Sequence, residues 1–373
     1  MKRRKHRIVR IFFILMTLMV VGTISVFILI QIAPKPPIEE ISKAREALST
    51  ARSVNAHIYD PEQFRRAERL YDSAVLLWKF QNQEFFLKRS FDKCHTCAIL
   101  AETNATIACN QAVEKSRNLQ KTLRTDIDKL RQEVRDFKQI FDRLPIGDDM
   151  SKNYEKGKLL LAESEVNYHQ ANYLISLEKL TQAKELIHKA MTYTNNMVSN
   201  YFSNYTNWVK WADQTISLSR KNQSTAILVD KFSGNCYVYK NGALKYTFHA
   251  EVGKNWIGTK RYKGDKATPE GFYTITKKKS HHQTKYYKAL LLNYPNGEDR
   301  QRFTRDVREG RISKSAQIGG MIEIHGGGGR GANWTDGCIA LSNKDMDVIF
   351  NVVTEGTPVT IIGSLVGMKE AFE

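Results

Sequence analysis

The sequence predicts a multidomain chain with an N-terminal transmembrane helix, an all-α region of helical hairpins and a C-terminal mainly-β domain. Three observations lead there. An uncharged, mostly apolar run from Ile11 to Pro34 follows a basic arm. From Ile38 to about Ser219 glycine is nearly absent and apolar residues recur at helical spacing. At about residue 223 the apolar period changes from that of a helix to that of a strand, and glycine becomes frequent. The expected boundaries are therefore 1–37, 38–222 and 223–373.

Composition agrees with a modular globular protein. The chain has 373 residues, 42% hydrophobic and 26% charged, which excludes both a disordered chain and a polytopic membrane protein. Five scattered cysteines are too few for a disulfide scaffold. The net charge of +18 is spread along the chain apart from the short N-terminal arm, so no segment carries the concentrated basic stripe of a nucleic-acid binder, and nucleic acid is not an expected partner.

The first element reads as an anchor. Lys2, Arg3, Arg4, Lys5, Arg7 and Arg10 precede the apolar run, and Ala33-Pro34-Lys35-Pro36-Pro37 ends it. At 1.5 Å per residue the run covers a bilayer core of ~30 Å. It exceeds a signal-peptide core, and Gly22-Thr23-Ile24-Ser25 makes a poor cleavage site. Basic residues stay on the cytoplasmic side. The expectation is a single inner-membrane span with everything after Pro37 periplasmic or otherwise extracytoplasmic.

Residues 38–222 show two apolar stripes at helical spacing. One is Phe64, Ala67, Leu70, Tyr71, Ala74, Leu77 and Trp78, the other Tyr154, Gly157, Leu160, Leu161, Ser164 and Tyr168. They superimpose loosely, which suggests two similar hairpins. Asp60-Pro61 marks one helix start, and the Leu144–Asp149 segment breaks the chain, with Asp149 or Ser151 as the next cap. The region is either a spacer or a platform for wall polymer or an envelope protein. Cys94-His95-Thr96-Cys97 lies inside a helical stretch with no second cysteine pair at zinc spacing, so with Cys109 it reads as helix packing, one disulfide remaining open.

In the last domain, strands are expected at 226–229, 236–239, 244–248, 272–275, 287–292, 321–324 and 358–362, in an antiparallel sheet. Asn241-Gly242 supplies a two-residue hairpin turn. One helix is expected at 344–353. His281 and His282 fall in a basic, aromatic stretch from Lys277 to Lys288, either a lid strand over an anionic ligand or a solvated face.

The chemistry concentrates between Ile322 and Leu341. His325 ends a strand, a glycine-rich loop follows, and Cys338 sits in the turn Thr335-Asp336-Gly337-Cys338. A thiol becomes a competent nucleophile once ionised, and a neighbouring imidazole can hold the thiolate as an ion pair. Gly337 lets the chain turn so that the Gly337 and Cys338 amides can face an oxyanion. The glycine run lacks the G-K-[ST] of a phosphate loop, and only Cys236 and His249 could complete a zinc site with this pair. No metal and no cofactor are expected.

This stretch resembles the catalytic domain of the L,D-transpeptidase family, the cysteine enzymes of bacterial cell-wall metabolism. The matching residues are His325-Gly326 and Thr335-Asp336-Gly337-Cys338, with Thr268-Pro269-Glu270-Gly271-Phe272-Tyr273 and, more weakly, Leu291-Leu292-Asn293-Tyr294-Pro295-Asn296 upstream. The resemblance covers roughly 223–365. It implies an L,D-transpeptidase-like cysteine acyltransferase acting on peptidoglycan stem peptides. Cys338 and His325 would be catalytic, and Gly326, Gly337, Thr335, Asp336 and Tyr294 would contact substrate or the oxyanion. Asn333 and Trp334 are candidate pocket walls. Ala340 stands where typical members carry arginine, which leaves peptide hydrolysis by the same fold, or a non-catalytic wall-binding scaffold, as alternatives.

Overall fold

The computed structural model describes residues 2–372, with side chains from Arg10 onward; the side chains of Lys2, Arg3, Arg4, Lys5 and Arg7 lie outside the described residues. The chain divides into two compact units, Met1–Asp126 with Val166–Leu177, and Ile127–Glu165 with Glu178–Glu373.

The first unit begins with α1 (Lys2–Ile32), whose segment Arg10–Ile32 is long and apolar enough to cross a membrane and has no buried residue. Next come α2 (Ile38–Ser53), α3 (Ala56–Tyr59), α4 (Pro61–Gln83) and the start of α5 (Asp92–Phe141). Pro61 occupies the first turn of α4, where its missing N–H costs nothing. Asp60 makes no side-chain cap there; its carboxylate pairs instead with Lys115 at 3.3 Å. Ala51, Ala56, Phe64, Ala108 and Ala112 form one core, and Ala74, Phe91, Cys94 and Ala98 another. The small alanines let the helices approach closely. Cys94 points its thiol at the Ala74 carbonyl, and all five cysteines of the chain are free.

The remaining helices are α6 (Asp148–His169), α7 (Tyr173–Phe202) and α8 (Tyr205–Lys221). In the second unit Tyr154, Gly157, Leu160, Leu161 and Ser164 are the buried face of α6, as the apolar spacing requires. A Cβ on Gly157 would come within 2.6 Å of Ile187, so glycine permits the α6–α7 contact. Tyr154 packs on Phe137 and Phe141.

After α8 come β1 (Thr225–Asp230), β2 (Asn235–Lys240), β3 (Ala243–His249), β4 (Gly271–Ser280), β5 (Lys288–Leu292), α9 (Gly297–Arg308), β6 (Glu323–His325), β7 (Ile339–Ala340), α10 (Asn343–Val352), β8 (Pro358–Ile362) and α11 (Met368–Phe372). The strands form one sheet in the order β3-β2-β1-β8-β4-β5-β6-β7. Asn241 and Gly242 turn β2 into β3 with φ values of 55° and 75°, the left-handed pair that such a turn demands. The sheet is mixed, against the antiparallel expectation: β1 pairs with β8, and β6 with β7, in parallel. Alternation of apolar residues reports which face a strand buries, not the direction of its neighbour. Helix α9, which the sequence reading did not anticipate, begins with Asn296 and Asp299 capping one another reciprocally.

The β sheet is fastened to α7 and α8 by a buried polar hub. Glu270, the variable residue of the Thr268–Tyr273 motif, pairs with Lys231 at 2.6 Å. It also accepts hydrogen bonds from the Tyr201 hydroxyl at 2.9 Å and the Trp208 indole at 3.2 Å. Lys231 in turn donates to the Gly258 and Thr268 carbonyls. Trp208 is wholly buried and lies so close to Gly363 that a Cβ there would come within 2.3 Å of its ring. Removing the carboxylate would strand an ammonium in the interior. Glu270→Ala is expected to destabilise this unit by about 3–5 kcal/mol, read as a lowered urea midpoint by tryptophan fluorescence. A change under about 1 kcal/mol would show that the hub does not hold the helices to the sheet.

Candidate active site

Two short strands bring the sequence-predicted pair together. β6 and β7 run parallel with Ile324 opposite Ile339 and His325 opposite Ala340. Residues facing one another across a strand pair share a face, and alternate residues on one strand do so too. Glu323, His325, Ala340 and Cys338, just before β7, therefore lie on one side of the sheet. The Cys338 thiol donates to the Met321 carbonyl at 3.6 Å. Cys338 is thus the diagonal neighbour of His325, a main-chain separation of roughly 7–8 Å.

The turn that carries the sulfur has little freedom. Gly337 has φ 132°, and a Cβ on it would come within 2.7 Å of the Ala267 carbonyl, so no other residue fits. Buried Thr335 donates its hydroxyl to the Cys338 carbonyl at 2.7 Å and accepts the Gly337 N–H at 3.2 Å. Its own amide and carbonyl are tied to Val252 and Lys254. Lys260 donates to the Asp336 carbonyl at 3.4 Å and to Asp265 at 2.7 Å. The Cys338 N–H has no hydrogen-bond partner among the described residues.

His325 is fully buried. Its Nδ1 lies 2.7 Å from the Gly326 carbonyl, and a carbonyl only accepts, so Nδ1 carries the proton. Nε2 is then a lone-pair acceptor, and it has no partner among the described residues. The Tyr286 ring stacks on the imidazole at 3.5 Å and 7°, and Trp334 meets it edge-on at 6.0 Å. Burial holds the imidazole pKa below its ordinary value, with the Gly326 hydrogen bond opposing. Burial also raises the Cys338 thiol, while its bond from Glu323 and the charges of Lys285 and Lys260 oppose. Both directions favour a neutral thiol beside a neutral imidazole. Burial thus disfavours the charged form of each group taken singly.

The sulfur reaches solvent through a groove of about 820 Å³. Lys254, Lys260, Lys263, Lys279 and Lys285 line it, against Glu323 and Asp336. Lys279 and Glu323 neutralise one another at 2.7 Å in the groove wall, beside the sulfur. The excess lysines leave a positive surface suited to a carboxylate-bearing ligand.

The remaining sequence-predicted residues separate by role. Thr335 holds the turn and Asp336 is exposed on the groove. Trp334 also lines it, whereas Asn333 accepts the Val252 N–H. Gly326 donates its N–H to the Lys288 carbonyl, so that amide is not free for an oxyanion; its carbonyl orients His325. The Gly337 amide is likewise engaged, which leaves Cys338's own. Tyr294 is buried outside the groove lining and donates to the Ile318 carbonyl at 3.2 Å. His281 and His282 are exposed and do not line the groove, although Gln283–Tyr286 do.

One residue went unnoticed in the sequence. Glu251, buried after β3, accepts the Gly331 N–H at 2.7 Å, the Arg330 N–H and the Trp334 indole at 2.7 Å. Its main chain bridges Ala340. It pins the glycine loop and Trp334 against the histidine, while Arg330 lies over the Trp334 ring at 3.6 Å. Nothing in the local pattern around Ala250-Glu251-Val252 signals this, since its partners lie about eighty residues on.

The comparisons with known proteins fall on the same segment. Residues 224–361 match the family described as the L,D-transpeptidase catalytic domain. A protein of Escherichia coli K12 named as an L,D-transpeptidase, YafK, is 31% identical over 99 residues, covering 26% of this chain. The chain spans about a third of that relative's length, 32%. Among solved structures, L,D-transpeptidase 1 of Mycobacterium tuberculosis is 16% identical, covering 38% of this chain and 62% of its own, with a TM-score of 0.24. An L,D-transpeptidase of Xylanimonas cellulosilytica is 12% identical over 38% of this chain and 61% of its own, with a TM-score of 0.26. The segment 224–361, which carries the His-Gly strand beside the Thr-Asp-Gly-Cys turn, matches the L,D-transpeptidase catalytic domain family.

Proposed function

We propose that this domain is a cysteine acyltransferase acting on peptidoglycan stem peptides through a Cys338 thioester, tethered outside the cytoplasmic membrane by α1. The observation that carries the reading is Cys338 opening on a lysine-lined groove while the Nε2 of His325, one strand away, is an unpartnered acceptor. As Sγ attacks a substrate carbonyl, its proton passes to Nε2, and the S–C bond forms. The oxyanion faces the Cys338 N–H. The imidazolium is oriented by the Gly326 carbonyl and gives its Nε2 proton to the leaving amine as the C–N bond breaks. An acceptor amine resolves the thioester to a cross-link; water resolves it to a cleaved peptide. The groove lysines meet the carboxylates of the stem peptide, and Asp336 and Trp334 are its other contacts.

Hydrolysis is the second reading, and Ala340 favours it. This position is fully buried beside His325 and bridged to Glu251, so it offers no guanidinium to an acceptor or donor strand.

Muropeptides incubated with the purified chain, with and without an acceptor peptide, are read by mass. The expected product is lost in Cys338→Ala and falls by roughly 10²- to 10⁴-fold in His325→Ala. A product that persists in Cys338→Ala would end the thioester mechanism, and one formed only with acceptor present identifies transfer.

The neutral resting pair has its own signature. The rate of Cys338 alkylation by iodoacetamide, followed by mass spectrometry, should rise with pH to a midpoint above the ordinary thiol value of about 8.5. The sign follows from burial, which disfavours the thiolate and so moves its formation to higher pH. A midpoint below about 7 would instead reveal a preformed thiolate–imidazolium pair.

A further inference from the structure

In the first unit α2 and α4 run antiparallel. Arg52 near the end of α2 pairs with Glu68 in α4, Leu48 packs against the cluster that holds Phe64, and Ile41, Leu77 and Trp78 pack against the cluster that holds Ala74. From Arg52 back to Ile38 is about 21 Å of helix, and from Glu68 on to Gln83 about 22 Å. Gln83 therefore returns to the level at which α2 begins, directly after α1. Glu40 meets His95 of α5 at 3.2 Å, which places the first turns of α5 at that level as well. The connection from Gln83 to Asp92 thus lies at the end of the hairpin where α2 begins, and five residues, Ala33 to Pro37, join that end to the apolar helix.

That connection is unusually apolar for an exposed turn. Leu76 and Phe80 share one face of α4 and are 63% and 70% exposed; Phe85 and Leu87 are 61% and 53% exposed. Lys79, Lys88, Arg89 and Lys93 flank them, against Glu84 and Asp92. The turn is built rather than loose. Arg89 donates to the Glu84 and Asn82 carbonyls, and the Ser90 N–H to the Gln81 side chain. Apolar tips ringed by cationic side chains match a bilayer interface, where rings and methyl groups enter the acyl boundary and ammonium groups stay among phosphates.

We propose that the α4–α5 turn is a second membrane contact, with Phe80, Phe85 and Leu87 inserted in the lipid interface beside the point where α1 leaves the bilayer. This rests on the reading of α1 as the anchor. Two contacts on one rigid hairpin fix its orientation on the membrane, where a single span would let it swivel about Ala33–Pro37.

The test uses the full chain in phosphatidylethanolamine–phosphatidylglycerol vesicles, with a dansyl-bearing amino acid in place of Phe85, Leu87 or, as the control, exposed Ser73. Ser73 lies about 15 Å back along α4 from Gln83. Lipids brominated on the acyl chains are expected to quench the probe at 85 and 87 roughly twofold and to leave the probe at 73 unchanged. Flotation of the same vesicles reads the anchor separately. A chain that floats with unquenched probes at 85 and 87 overturns the turn contact and leaves the anchor standing. Equal quenching at 73 also overturns it, because the whole hairpin would then lie flat. A chain that does not float overturns both.

Discussion

The parallel pairing of β6 with β7 places a histidine and a cysteine thirteen positions apart on one face of the sheet, and the rest of the site depends on it. The pair of strands is too short to hold itself: β7 comprises two residues. It is held by what surrounds it. The Leu341 N–H donates to the His325 carbonyl, Ala340 exchanges both main-chain hydrogen bonds with Glu251, and Gly328 folds back onto the Leu341 carbonyl. His325, Ala340, Leu341 and Glu251 are buried, where an unmade hydrogen bond is costly, so the strands have one register available to them. The glycines between the two residues serve this closure. At Gly328 a Cβ would lie 2.9 Å from the Ala340 and Leu341 main chain.

Burial sets the chemical character of the pair. Burial is complete at His325 and partial at Cys338, whose sulfur opens on the groove, and at both it disfavours the charged form. The tautomer follows from one short contact, because the Gly326 carbonyl can only accept. Positive charge is nearby in Lys260 and Lys285, and the Glu323 carboxylate opposes it at the sulfur. The lysines also line the groove, where a ligand's carboxylates would meet them.

The helices before the sheet are part of the same unit. Glu270 reaches Tyr201 and Trp208, and Thr268, two residues earlier, accepts the Gly253 N–H with its hydroxyl. Gly253 itself is pressed against Lys266 and Ala267, and Ala267 presents the carbonyl that makes Gly337 obligatory. A chain of contacts thus joins the helical segment, the Thr268–Tyr273 motif and the cysteine turn. Thr268 and Glu270 thus serve the packing of the motif, and Gly271 adopts φ 140°, a conformation that favours glycine.

Local sequence determined the apolar length of α1, the buried stripe of α6, the Asn241-Gly242 turn, and the strand–loop–turn order carrying His325, Gly337 and Cys338. These are decided by spacing, backbone freedom and hydrophobic period, which act over a few residues. Strand direction, the α9 cap seen in context, the role of Glu251 and the burial of Tyr294 were not legible, because each depends on partners far away in the chain. Gly326 shows the division most plainly. Its place after the histidine is a motif, but that its amide is spent on Lys288 and its carbonyl on the imidazole is a fact of the fold. The pKa directions of His325 and Cys338 belong to the fold for the same reason, since a residue's type gives its ordinary pKa and only the packing around it supplies or removes water.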